Sequence, residues 1–142
     1  MEVWQLTPWV QVDMVLRLLI ATVLGGLIGY ERELAEKPAG LRTNLLVCLG
    51  AALFTVASIY GFGSEGDSSR VAAGIVAGIG FLGAGTILRG DGAVHGITTA
   101  ATIWAVAAIG LAVGAGLYLV AVVTTGIMLI ALRFPKLPGH RG

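Results

Sequence analysis

Two carboxylates one residue apart, Glu31 and Glu33, sit beside Arg32, Lys37 and Arg42 in ERELAEKPAGLR, the densest polar run of the chain. Carboxylates at that spacing can share a hard, oxygen-seeking cation such as Mg²⁺, which keeps several of its waters. The other chemistry open to them is charge compensation, in which Arg32, Arg42 and the later Arg89 neutralise both acids at a surface. Thr43, Thr98 and Thr99 stand where apolar runs begin, and there a hydroxyl can satisfy a free backbone N–H. His95, in the short link GDGAVHG with Asp91, has no metal-spaced partner and reads as a solvated loop histidine. At the opposite ends of the apolar runs lie Arg70 and the pair Asp13 and Arg17, four residues apart on one helix face, with Arg17 long enough to reach water. No phosphate loop, nucleophile elbow or zinc helix is written into the chain, so an ATP-driven pump is excluded. The expectation is a protein that is not an enzyme and carries neither cofactor nor bound metal.

The elements that position these groups are almost free of charge. From Val71 to Leu88 run eighteen uncharged residues, bounded by Arg70 and Arg89 and carrying glycine at 74, 78, 80, 83 and 85. About 20 apolar residues cross a bilayer core of roughly 30 Å, and lipid keeps such a segment helical despite its glycines because it leaves no other partner for the backbone. Gly74 with Gly78, and Gly80 with Ala84, clear a ridge for close approach of a neighbouring helix, as do Gly25 and Gly29 in the first apolar run. A broken helix beside an ion or solute is the alternative use of the same glycines. Tight packing predicts that Gly78→Leu separates this helix from its neighbour.

Composition agrees: 56% of residues are hydrophobic and 12% charged, against about 25% charged in a soluble domain, and mean hydropathy is +0.90. A net charge of +1 without a basic cluster points away from nucleic acid, and the lone Cys48 allows neither an intrachain disulfide nor a cysteine metal cluster. The pattern predicts one all-α integral membrane domain over residues 1–142, with five transmembrane helices at about 14–30, 43–60, 71–88, 97–114 and 115–132. The last two come from dividing the 36 uncharged residues between Ile97 and Leu132 near Gly110, Gly114 and Gly116, since about 54 Å of helix is too long for one crossing. Five crossings place Arg32, Lys37, Arg42, Arg89, Arg133, Lys136 and Arg141 on the cytoplasmic side and leave only Arg17 and Arg70 outside, so the amino terminus is expected outside and the carboxyl terminus in the cytoplasm. Trp4 and Trp9 suit the headgroup level, and the absence of lysine or arginine before them predicts a retained first helix. An offset of 56 residues aligns Gly29 with Gly85, Gly40 with Gly96 and Thr43 with Thr99, which suggests two parallel helical-hairpin repeats plus a fifth helix. No Asp, Glu or Lys falls near the middle of any helix, which argues against a proton-coupled transporter.

Four blocks, GGLIGYERE, KPAGLRTNLLVCLGA, RVAAGIVAGIGFLGAGTILR and GITTAATIWAVAAIGLAVG, occur in that order and resemble the MgtC/SapB family of bacterial inner-membrane proteins. The resemblance covers the membrane region from the first helix to the fourth. It implies a place in the bacterial inner membrane and a role in adaptation to low magnesium, and in pathogens in survival inside macrophages, by proteins that are not themselves the magnesium pump. The family's polar pattern falls here on Glu31, Arg32, Glu33, Lys37, Arg42, Thr43, Arg70, Arg89, Thr98 and Thr99. Many relatives continue into a soluble ACT-like domain, so a chain ending at Gly142 is expected to be a short member without one. The functional expectation is a non-enzymatic protein that supports growth under magnesium limitation by regulating, or packing against, another membrane protein or a second copy of itself. A channel or carrier for a cation or small solute is the alternative. A dry, sealed bundle favours the first and a water-accessible polar path the second.

Overall fold

Pro8 takes the first helical position, where its missing N–H costs nothing, and the first helix, α1, runs Pro8–Leu34. The computed structural model describes residues 7–62 and 66–135; Trp4, Lys136 and Arg141 lie outside them. At 27 residues α1 exceeds the expected 14–30 at both ends, so Glu31, Arg32 and Glu33 belong to its last turn and not to a loop. The turn closes through Glu36, whose φ of 54° is left-handed. Glu36 N–H donates to the Glu33 carbonyl and Lys37 N–H to the Arg32 carbonyl, each at 3.0 Å, which satisfies two of the helix's last carbonyls before Pro38 bars continuation.

Helix α2 spans Leu41–Tyr60 and α3 spans Ser68–Ala84. Asp67 caps α3 by accepting from Ser69 N–H at 2.9 Å and from the Ser69 hydroxyl at 2.6 Å. Those bonds favour the carboxylate and hold the exposed Asp67 below its ordinary pKa. The cap's contribution is therefore complete above about pH 4 and is lost as pH falls through the lowered value.

The third helix stops at Ala84, four residues short of the expected Leu88, and a small antiparallel hairpin follows, β1 Leu88–Gly90 against β2 Ala93–His95. Its two-residue turn is Asp91 and Gly92, with φ of 51° and 76°, the doubly left-handed geometry that matches strand twist. This hairpin is a local departure from the all-α expectation, which the five helices otherwise bear out. Gly96 follows with φ 89°, and a Cβ there would overlap the Thr86 carbonyl oxygen, so only glycine lets the chain pass. Helix α4 then runs Ile97–Gly114, as expected. Gly116 at φ 83° ends it, with Gly116 and Leu117 N–H donating back to Val113 and Ala112, and α5, Tyr118–Arg133, begins three residues later than expected for that reason. Helices α1, α2 and α4 are long and apolar enough to cross a membrane, while α3 and α5 have 17 and 16 residues.

Helices α2 and α4 form the centre. Going from Gly110 to Gly114, the neighbours of α4 advance from Cys48 and Ala51 to Ala52 and Thr55, so the two helices run parallel, and both start just after a glycine, at Leu41 and Ile97. Helix α1 lies antiparallel on α2, with Gly25 against Asn44 and Cys48 and Gly29 against Gly40 and Leu41. Ala21, Ile28, Cys48, Ala52, Val106, Ile109 and Val113 fill the space between these three helices, and α5 adds Ala121.

The ridge of α3 behaves differently from its sequence expectation. Among the described residues no atom of another element lies within 4 Å of a Cβ placed on Gly74, Gly78 or Gly80, because α3 meets α4 closely only near its end, where a Cβ on Gly83 would lie 3.5 Å from the Ala100 carbonyl oxygen. Gly85 meets only the carbonyls of its own last turn. Within the chain, close approach is made instead by Gly110 and Gly114, which the sequence marked merely as a place to fold back.

Candidate functional site

The polar groups gather at two junctions, one at each end of the bundle. At the first, the last turn of α1 points Arg32 inward along the face that carries Ile28 and Gly29. Arg32 is only 4% exposed. Its Nε donates to Glu31 Oε2 at 2.7 Å and its Nη2 to Glu31 Oε1 at 3.2 Å, a two-pronged pair between adjacent residues. Glu33 points elsewhere: its Oε2 accepts from Leu41 N–H at 2.7 Å, capping α2 with an acid from α1, and the space a side chain would need at Gly40 is taken by that carboxylate. Asn44 completes the junction, donating from Nδ2 to the Ala39 and Gly40 carbonyls at 2.9 Å each. Its Oδ1 is buried with no hydrogen-bond partner among the described residues.

This geometry separates groups that the sequence suggested could act together. The two carboxylates have different partners, and the described residues bring no cluster of three His, Cys, Asp or Glu side chains together. Lys37, Arg42 and Arg89 are exposed and enter neither ion pair found among the described residues, so the expected four-charge cluster of Glu31, Glu33, Arg42 and Arg89 is not assembled. The threonines do not cap. No side chain of the capping residue bonds the start of α2 or α4; Thr43 and Thr98 are exposed, Thr99 is buried, and Glu33 does the work at α2. Asn44 was missed in the sequence, although an amide inside an apolar run is a signal that a helix interior has a polar contact to make.

The second junction joins α1 to the α4–α5 turn. Asp13 and Arg17 form the i,i+4 pair at 2.7 Å, but Arg17 does not reach for water. Its side chain is 12% exposed, it donates from Nη1 to the Gly114 carbonyl at 2.7 Å, and it lies 5.5 Å from the Tyr60 ring centroid. A cation at the carboxyl end of α4 satisfies one of that helix's free carbonyls and its partial negative charge. Tyr118 donates its hydroxyl to Asp13 Oδ1 at 3.0 Å. Arg70 stands apart, exposed and in no ion pair of the described residues. Removing the Tyr118 hydroxyl by Tyr118→Phe is expected to lower stability by about 0.5–1 kcal/mol, read as a melting shift of a few degrees in detergent. An unchanged melting temperature would show that the bond to Asp13 is not made.

Residues 18–137 match the sequence model of the MgtC family. The chain belongs to the MgtC family. "Protein MgtC" of Brucella abortus is 54% identical over 115 residues, which cover 80% of this chain and 47% of the relative. The Escherichia coli K12 protein named "Putative magnesium transporter YhiD" is 42% identical over 128 residues, 85% of this chain and 60% of the relative. An uncharacterized protein of Haemophilus influenzae is 44% identical over 130 residues, 85% and 55%. The matched stretches thus span about half of these MgtC-family relatives' own length. No solved structure matches. Membership and the apolar helices make this a multi-pass membrane protein, and the stretch shared with the MgtC family contains the whole Arg32–Asn44 junction while beginning just after Arg17.

Proposed function

We propose that the chain is a non-enzymatic, five-span inner-membrane module that supports adaptation to low magnesium by packing against, and so regulating, another membrane protein. The observation that carries this reading is the apolar packing of the bundle between its two junctions. Ala21, Leu24, Cys48, Ala52, Val106 and Ile109 are buried there, and the hydroxyls of Thr22, Thr55, Thr102 and Thr125 each donate to a carbonyl four residues back in their own helix. A pathway for an ion would require polar groups aimed into it. The name carried by YhiD favours a second reading, a magnesium carrier.

Purified full-length chain reconstituted into vesicles loaded with a magnesium-sensitive dye separates the two. The expected result is a Mg²⁺ influx equal to that of protein-free vesicles, together with restored growth at low magnesium when the gene is returned to a deletion strain. Influx above the protein-free rate would overturn the regulatory reading. The spans and their orientation are part of the same proposal, supported by Arg32, Lys37, Arg42, Arg89 and Arg133 at one end against Arg17 and Arg70 at the other. A reporter fused after Gly142 is expected in the cytoplasm and one before Met1 outside; both reporting from outside would remove the fifth span.

A further inference from the structure

Between α3 and the central helices lies an open apolar groove of about 370 Å³, lined by Val47, Ala51 and Phe54 of α2 and by Gly74, Gly78 and Leu82 of α3. Its breadth owes much to missing side chains, since no atom of another element among the described residues lies within 4 Å of a Cβ on Gly74 or Gly78. The lining stretch of α3, Val71 to Leu82, is about 17 Å long at ~1.5 Å per residue, so the 370 Å³ averages to a cross-section of about 22 Å². A helix about 10 Å across is wider than the groove and could lie only along its open side. A single file of methylenes, whose carbons keep about 4 Å from their neighbours, fits within it. An apolar cavity takes an apolar guest in preference to water, and the guest that a bilayer offers is an acyl chain.

Charge sets which end the headgroup occupies. Arg70 directly precedes the lining residue Val71, is exposed, and its guanidinium has no hydrogen bond or ion pair among the described residues. Asp67, one turn earlier, is engaged by Ser69. We propose that the groove holds one acyl chain of an anionic glycerophospholipid from the surrounding bilayer, preferred over a zwitterionic one because its net-negative headgroup sits at Arg70, which has no ion pair among the described residues. This site is independent of the regulatory reading and of any magnesium flux.

The test uses the full chain with Phe54→Trp as a reporter, in vesicles of phosphatidylcholine containing increasing phosphatidylglycerol brominated on its acyl chains, with the parent protein's quenching subtracted. Quenching is expected to saturate, reaching half its maximum at a brominated fraction at least three-fold below that of simple mixing. Gly78→Leu, which fills the groove and has room to fold, is expected to return it to proportionality, and Arg70→Gln to raise the half-point several-fold. Proportional quenching in the reporter protein, or saturation unaffected by Gly78→Leu, would overturn the site. So would a dimer whose formation abolishes the quenching, because a second copy would then occupy the groove. Native mass spectrometry needs no reporter: wild-type protein released from the same vesicles is expected to retain one phospholipid per chain and Gly78→Leu none, and equal retention by both would refute the proposal.

Discussion

Gly110→Leu is expected to yield no folded protein, while Gly78→Leu leaves yield and melting temperature in detergent close to wild type. A Cβ on Gly110 would overlap the Cys48 carbonyl oxygen and lie 2.9 Å from its carbon and 3.0 Å from the Ala51 methyl. Inserting extra methylenes into a packed core costs about 1–3 kcal/mol when neighbouring side chains can move aside. Here the obstruction is largely backbone of α2, which has no rotamer to adopt, so the two central helices must part and expose the surface that both bury. Gly114 has the same constraint, with the Ala52 carbonyl 2.7 Å and Thr55 Cβ 2.6 Å from the added carbon. Gly78 has none, and leucine there also gains helix propensity. Normal melting of Gly110→Leu would show that α2 and α4 do not meet backbone to backbone. Loss of folded Gly78→Leu would show that α3 is closed onto a neighbour along its whole length.

The second large effect falls on the buried ion pair. The side chains of Arg32 and Glu31 are 5% and 13% exposed, so Glu31→Gln strands a guanidinium away from water, a change that costs about 3–5 kcal/mol where one partner of a buried pair is removed. Arg42→Glu is expected to change stability by less than about 0.5 kcal/mol, as at other exposed positions without partners. The two variants therefore differ by more than ten degrees in melting temperature if the pair stands alone. A cluster shared among Glu31, Glu33, Arg42 and Arg89 makes the opposite forecast: Arg42→Glu would be damaging, and Glu31→Arg in the same chain would rescue it. Rescue by that double exchange would refute the geometry described here.

Membrane character, the number and order of the helices and the limits of α4 were legible from local pattern, because an uncharged run of a given length has only one stable backbone in lipid. The ends of α1 and α4 follow from equally local chemistry, a left-handed residue and two backward hydrogen bonds, although Glu36 hid the first by being neither glycine nor asparagine. The hairpin of Leu88–His95 was signalled by Asp91-Gly92 and masked by the apolar Thr86-Ile87-Leu88 that seemed to prolong α3. What local pattern could not supply is the identity of the opposite surface. Small residues at i and i+4 mark a smooth helix face equally at Gly74 and Gly78 and at Gly110 and Gly114, but one faces an open groove and the other the backbone of α2. Arg17 and Glu33 show the same limit for polar groups: each has a charged neighbour within four residues, and each turns to a partner on another element, the Gly114 carbonyl 97 residues away and the Leu41 N–H at the start of the next helix. Periodicity along one helix sets which side chains share a face, and the packing of the remaining helices sets what that face meets.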